Sequence, residues 1–289
     1  MSLELRTPRD DDAAAAAELE SGSPRPATDE EVRRAWTAPG VDVRVALRGS
    51  ALVGAIIVEP EGDEGAQLWI ELQAREPEAA AALLEWGQSR AAELGADQAP
   101  LLAGAWSTDA IVTATLEAAG FRLRRYTNLM GMELEAEPPP PPVWPPGIAV
   151  RRYEESDARA VYESVVEAFL DTWEPIKASF EQWLHWQPDR ELWFLAVSDD
   201  GELAGAVLCR REESDATRGW ITVLAVRRSW RRRGLGEALL RYALGELRRA
   251  GCRRAELGVD APSRTGAERL YERAGMRVEH RYDLYERSG

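Results

Sequence analysis

Residues 231–236 read Arg231, Arg232, Arg233, Gly234, Leu235, Gly236, and they stand where an apolar β-type run gives way to an amphipathic helical run. Such a junction suits a diphosphate. A turn that ends a strand and opens a helix aims several unbonded backbone N–H groups, and the positive end of the helix dipole, at one point. Gly234 and Gly236 let the main chain approach an anion closely. Arg231, Arg232 and Arg233 add positive charge, although only the backbone amides have a geometry fixed by the fold. The expectation is therefore that the amides bind, with one arginine helping and the others in solvent, as most charge runs are. An R-x-x-G-x-G string is weak by itself, because Gly and Arg are common in such loops.

The flanking elements strengthen it. Trp220, Ile221, Thr222, Val223, Leu224, Ala225 and Val226 form a continuous apolar and β-branched stretch, the pattern of a strand covered on both faces. After Gly234, the residues Leu235, Ala238, Leu239, Tyr242 and Ala243 recur at helical spacing, and Gly251 behind Arg248 and Arg249 is a helix stop. Ala255 to Val259 reads as another strand. Beyond a polar turn at Asp260 to Arg264, a helix carries Ala267, Leu270, Tyr271 and Ala274 before Gly275.

The stretch from Leu224 to Met276, with R-R-R-G-L-G and then S-R-T-G-A-E-R-L-Y-E-R-A-G-M, resembles the acetyl-CoA-binding core of the GNAT superfamily of N-acetyltransferases. Two separate motifs occur in the expected order. The resemblance implies that the amides of Arg231, Arg232, Arg233, Gly234, Leu235 and Gly236 bind the coenzyme A diphosphate. It implies too that Leu224, Ala225 and Val226 pair with the pantetheine arm. The family's second motif usually begins with Asn, where this chain has Ser263. Its tyrosine, matched by Tyr271, commonly protonates the departing thiolate. By residue type and spacing alone Tyr271 reads equally as a core aromatic.

The chemistry so implied is direct attack of a primary amine on the thioester carbonyl. The tetrahedral oxyanion needs an N–H donor, which the resemblance puts at or near Leu224. Removing such donors from other enzymes costs roughly 3 to 4 kcal/mol. The thiolate leaves more easily beside an acid, and a general acid contributes about 10² to 10⁴ in rate. Relatives often carry a Glu in the preceding strand to relay the amine's proton. Trp220 occupies that neighbourhood, so no base is assigned. Glu212, Glu213 and Asp215 read as a solvated acidic loop.

At 289 residues the chain suits two domains. Residues 1–147 hold 12 Arg and Lys against 25 Asp and Glu, a charge of −13, which leaves −1 of the total −14 for the remainder. That acidic first half repels phosphate backbones, so no nucleic-acid partner is expected. No apolar run approaches the roughly 18 residues of a membrane span, and no secretion signal is visible. The expectation is a cytoplasmic protein without a membrane partner. Cys209 and Cys252 lack C-x-x-C spacing and read as reduced structural residues, and His185 and His280 stand far apart, so no metal is expected.

Five successive prolines, Pro138 to Pro142, followed by Pro145 and Pro146, mark a stiff linker at 136–147 between domains 1–135 and 148–289. Each half begins with an extended segment, Leu3 to Thr7 and Ile148 to Tyr153. Each then offers a hairpin, Arg44 to Val58 around Gly49 and Trp193 to Cys209 around Gly201. At an offset of 156 residues Ala82, Leu83 and Leu84 lie over Ala238, Leu239 and Leu240, and Gly95 over Gly251. Two copies of one α/β (α+β) fold follow, each a twisted mixed, mainly antiparallel sheet flanked by helices. In the first copy Arg232, Arg233, Gly234 and Gly236 are met by Glu76, Pro77, Glu78 and Ala80, and Tyr271 by Leu116. The amino-terminal half thus reads as a degenerate copy that has lost coenzyme binding, with activity in 148–289.

Tandem proteins of this architecture include mycothiol synthase, whose first copy keeps a glycine loop that this chain lacks. Acetylation of a cysteinyl-sugar is one acceptor reading; a small amine or a protein N-terminus are others. Glu167, Asp171, Trp173 and Glu174, with Trp183 and Trp186 beyond them, suit a cationic amine, although the i, i+3 tryptophans read more simply as a buried stripe. A different class also fits the cradle: a non-catalytic acyl-CoA sensor or scaffold. Oligomeric state is not written in the sequence.

Overall fold

The computed structural model describes residues 2–288 apart from 21, 22, 25, 62–66, 96–99, 135–140, 173–175, 177, 186, 188, 213, 214 and 262–265. In the first half the elements run β1 (Leu3–Arg6), α1 (Asp12–Leu19), α2 (Asp29–Trp36), β2 (Asp42–Arg48), β3 (Ala51–Glu61), β4 (Gln67–Ala74), α3 (Pro77–Glu93), β5 (Leu101–Trp106), α4 (Ala110–Ala118) and β6 (Arg122–Glu133). The second half repeats them as β7 (Ile148–Arg152), α5 (Ala158–Phe169), α6 (Phe180–His185), β8 (Leu192–Ser198), β9 (Leu203–Arg211), β10 (Arg218–Val226), α7 (Leu235–Arg249), β11 (Arg254–Ala261), α8 (Ala267–Arg273) and β12 (Arg277–Arg287). The extended starts and both hairpins lie where the sequence puts them. Among the described residues no helix is long and apolar enough to cross a membrane.

The chain divides into two compact units, Met1–Thr127 with His280–Gly289, and Asn128–Glu279. The first unit's sheet runs β1-β2-β3-β4-β5-β12, and the second's runs β7-β8-β9-β10-β11-β6. Strand order is the same in both. The sixth strand of each, however, comes from the other half of the chain. Residues 282–287 pair antiparallel with β5, from Tyr282 on Trp106 to Arg287 on Leu101, and Tyr285 is buried with Leu101, Ala103 and Ala105. In the second unit the Leu134 N–H bonds the Arg253 carbonyl at 2.7 Å, and Met130 is buried with Leu235 and Leu239.

Each unit contains one parallel pair, β4 with β5 and β10 with β11, inside an otherwise antiparallel sheet. The long helix that crosses between those strands packs against the sheet. On α7 the buried residues are Leu235, Ala238, Leu239, Leu240, Ala243, Leu244 and Leu247, and on α3 they are Ala79, Ala80, Leu83, Leu84, Gly87 and Ala91. Full burial of one such leucine stabilises by roughly 1.5 to 3 kcal/mol. Leu83 lies over Gly54 of β3 and Leu239 over Gly205 of β9, where a Cβ would sit 2.8 and 3.1 Å from the leucine Cδ1 atoms. Those leucines are 156 positions apart, yet the glycines are 151 apart. The second unit therefore carries extra residues between the strand and the helix.

Residues 135–140, the first part of the proline-rich segment, fall outside the described residues. Beyond them the Trp144 ring meets Tyr242 of α7 at 5.8 Å between centroids. Cys209 and Cys252 are free and buried.

Candidate active site

The longer junction is Arg227 to Gly234, which stands where the first unit has only Arg75 and Glu76. Arg228–Trp230 makes one 3-10 turn, Arg232 adopts a left-handed φ of 59°, and Gly234 caps α7 with φ 83°. Nothing crowds Gly234, so its glycine answers the backbone angle and not a lack of space. The first helical bond runs from the Ala238 N–H to the Gly234 carbonyl at 3.1 Å. The N–H groups of Leu235, Gly236 and Glu237 therefore precede the helical ladder, and among the described residues they have no protein acceptor. Leu235 is 1 % exposed, so its side chain anchors the helix while its amide faces the turn. A Cβ added at Gly236 would lie 3.5 Å from Leu270 Cδ2 and 3.6 Å from Val226 Cγ2. That proximity brings the strand end, the cradle and α8 together.

Strand β10 opens away from β11 just before this turn. The two pair at Arg218–Arg254, Gly219–Ala255 and Trp220–Glu256, and among the described residues no pair follows. Glu256 is buried at that last pair and accepts from Arg218 Nε and Nη2 and from Arg254 Nε at 2.9 to 3.0 Å, which pins the closed end. Toward β9 the ladder continues to Val226, with Thr222 as an extra residue between Ile221 and Val223. The Thr222 hydroxyl donates to the Leu208 carbonyl at 3.0 Å. A bulge of this kind re-aims the residues after it.

Backbone groups alternate along a strand. The Arg227 N–H donates to Ala204 of β9, so Ala225 and Val223 also turn their amides to β9. Leu224 and Val226 then point theirs into the gap that β11 has left. The Val226 carbonyl fits this assignment, because it accepts from Arg231 Nε at 3.2 Å. A thioester carbonyl in that gap would find the Leu224 N–H, and an extended amide arm would find the Leu224 backbone and the Val226 N–H, the Val226 carbonyl being held by Arg231.

Tyr271 lies on α8 at 8 % exposure, within the core that holds Leu235, Leu239 and Met276. Burial pushes its phenol up to about 12, so at neutral pH it keeps its proton. Its place in the core is what the plainer reading of its spacing suggests, and its retained proton is what an acid there would need. Ser263 lies outside the described residues, as do Trp173, Glu174, Trp186 and Glu213.

Two of the three arginines face solvent, as expected, and the first turns inward. Arg232 and Arg233 are exposed, with Arg233 stacked 4.9 Å over the Trp230 ring. The Arg231 guanidinium is turned inward. It donates to Asp171 Oδ2 at 2.6 Å and to the Ala168 carbonyl at 3.2 Å, in addition to Val226. Glu167 and Asp171 likewise do not stand open to an amine. Glu167 accepts from Arg227 Nε and the Arg228 N–H, both at 2.8 Å. Asp171 accepts from Arg228 and Arg231, whose hydrogen bonds hold its carboxyl down at about 2. Opposite charge sixty residues away claimed both carboxylates, and spacing carries no sign of that. Trp183 is buried against Trp193 as one apolar stripe. Glu212 pairs with Arg210, and Asp215 caps Thr217. Among the described residues no cluster suits a metal ion.

The same junction in the first unit is short. Strand β4 ends at Ala74 and α3 starts at Pro77, which has no N–H to offer. Glu76 and Glu78 stand at the helix start, and Arg48 holds both at 2.8 and 2.6 Å. The chain's own carboxylates occupy the place of an anion.

A family model described as the acetyltransferase (GNAT) family matches residues 158–276. Among solved structures, a GCN5-related N-acetyltransferase from Sphaerobacter thermophilus is 34 % identical, with 99 % of this chain and 95 % of that one covered and a TM-score of 0.83. A tandem GNAT protein from the clavulanic acid biosynthesis pathway is 18 % identical over 99 % of this chain and 98 % of its own, with a TM-score of 0.74. A GNAT-family acetyltransferase from Colwellia psychrerythraea is 15 % identical over 99 % of both chains, with a TM-score of 0.65. The last two share the fold. No curated protein matches in sequence.

Proposed function

This chain belongs to the GNAT family of acetyltransferases, and from that premise we propose that it transfers acetyl from acetyl-CoA to a primary amine, at one site in the second unit. The observation that carries the reading is the opened β10 edge running directly into unbonded amides at the start of α7. The coenzyme diphosphate lies on the N–H groups of Arg232 to Gly236, and the pantetheine arm follows Leu224 and Val226.

The amine nitrogen attacks the thioester carbonyl carbon, and the oxyanion is held by the Leu224 N–H. As the C–S bond breaks, the sulfur takes a proton from Tyr271, and the ammonium loses one to solvent or a base. The inward-facing Arg231 contributes through its backbone, while Arg232 and Arg233 raise the local positive potential. Acceptors of this chemistry are a small-molecule amine or a protein N-terminus. The first unit, with Glu76, Pro77 and Glu78 at its junction, binds no coenzyme and serves as scaffold.

Purified full-length protein incubated with acetyl-CoA and a panel of amines and N-terminal peptides should yield at least one product heavier by an acetyl group in mass spectrometry. Coenzyme binding without any acetylation or thioester hydrolysis would favour a sensor or scaffold over an enzyme.

A further inference from the structure

The acetyl-transfer reading leaves the acidic end of α5 unused, although the residues there are fully engaged. Asp171 Oδ1 accepts from Arg228 Nη2 and Asp171 Oδ2 from Arg231 Nη1, each at 2.6 Å. One turn earlier Glu167 takes the Arg228 N–H and Arg227 Nε. The Ala168 carbonyl takes a further bond from Arg231. Three cations of one short turn are thus gathered on one helix end, where the exposed carbonyls and the negative pole of the dipole also favour them.

The turn needs such a brace. Arg232 follows Arg231 with φ 59°, a left-handed angle uncommon for a residue other than glycine, and Gly234 follows with φ 83°. Two like-charged guanidiniums on Arg228 and Arg231 repel each other unless a carboxylate stands between them. Without it, Arg231 would swing outward, and the amides after it would lose their common direction. Each nitrogen of the Arg231 guanidinium is engaged away from the cradle amides, on Val226, Asp171 and Ala168.

We propose that Asp171 is a positioning residue for the coenzyme cradle: held between Arg228 and Arg231, its carboxylate fixes the turn in the shape that presents the Arg232 to Gly236 amides to a diphosphate. The inference rests on the coenzyme reading above. It makes the first arginine of R-R-R-G-L-G a strut, and it ties the cradle's shape to helix α5.

Isothermal titration of full-length protein with coenzyme A tests it, alongside the melting temperature of the ligand-free protein. Asp171→Asn should weaken binding about tenfold with the ligand-free melting temperature unchanged, and Asp171→Glu should restore part of the affinity. Arg231→Gln should give a similar loss. The double variant Asp171→Asn, Arg231→Gln should be no weaker than the worse single one, because both act through one contact. Wild-type affinity in Asp171→Asn would overturn the proposal. So would a loss of affinity matched by a lowered ligand-free melting temperature, or additive losses in the double variant. A wild-type chain that fails to bind coenzyme A would instead sink the coenzyme reading beneath it.

Discussion

Ala74 to Pro77 in the first unit and Val226 to Leu235 in the second are the same corner of one fold, and they differ in charge and in the backbone amides they leave unbonded. One presents Glu76, Pro77 and Glu78, already neutralised by Arg48. The other presents a longer turn, bare amides and surplus positive charge. The neighbouring sheet face differs as well. From the shared Gly54 and Gly205 contacts, Glu71 and Gln73 of β4 correspond to Val223 and Ala225 of β10. The second pair is buried with Trp183 and Trp193. The first sits with Glu20 and Glu59, and Gln73 bonds both Glu20 and Glu71. Burial, with the charges of Glu20 and Glu59, pushes Glu71 up to about 7. A common scaffold therefore leaves the choice of ligand to a few turn residues and to one strand face.

That contrast breaks first at Tyr271. Tyr271→Phe should lower turnover by about 10² to 10⁴, with the KM for acetyl-CoA nearly unchanged in steady-state kinetics. Leu116→Ala, at the matching place in the first unit, should act on stability alone. Equal turnover in wild type and Tyr271→Phe would remove the phenol from the mechanism.

Glu71 gives the next effect. Its folded proton affinity is raised, so the folded state binds more protons than the unfolded one between about pH 4.5 and 7, and stability falls as pH rises through that window. Glu71→Gln should then stabilise the protein by about 2 kcal/mol at pH 8, after allowance for partial exposure. The gain should vanish near pH 4, as read from urea midpoints. A variant no more stable than wild type at pH 8 would mean that the carboxylate is compensated.

Gly234→Ala places a side chain at φ 83°, which costs roughly 1 to 2 kcal/mol, and should lower both the melting temperature and coenzyme affinity. Unchanged affinity would separate the cap from the cradle. Smallest of all, Arg48→Ala should leave the melting temperature almost unchanged, since its pairs with Glu76 and Glu78 are screened by water. It should create no coenzyme binding in the first unit, because Pro77 still lacks the amide.

Local pattern was enough for the hairpins, the apolar strand through Trp220 to Val226, and the helices after Gly234 and before Gly275. Those features depend on neighbours within a few residues. The repeat was legible in the helices, where Leu83 and Leu239 occupy one structural place. In the strands it drifted, because the offset is 151 at Gly54 and Gly205 and 152 at Ala74 and Val226, and the longer turn then carries it to 156 at the leucines. The bulge at Thr222 left no mark on a run of uniformly β-forming residues. The partners of Asp171, 57 and 60 positions away, follow from how α5 packs on β10, and charge counting cannot see them. Strand patterns in 128–133 and 280–287 say that these segments pair, but not with which half.

The exchanged sixth strands bear on how such a protein can change over time. A break in the gene near the proline run would strip each product of one strand and leave an open, aggregation-prone edge on both. Either half can thus change at its own corner and still not be discarded, since residues 128–133 complete the sheet of the second unit and 280–287 that of the first. Selection on one unit is enough to preserve strands encoded in both halves.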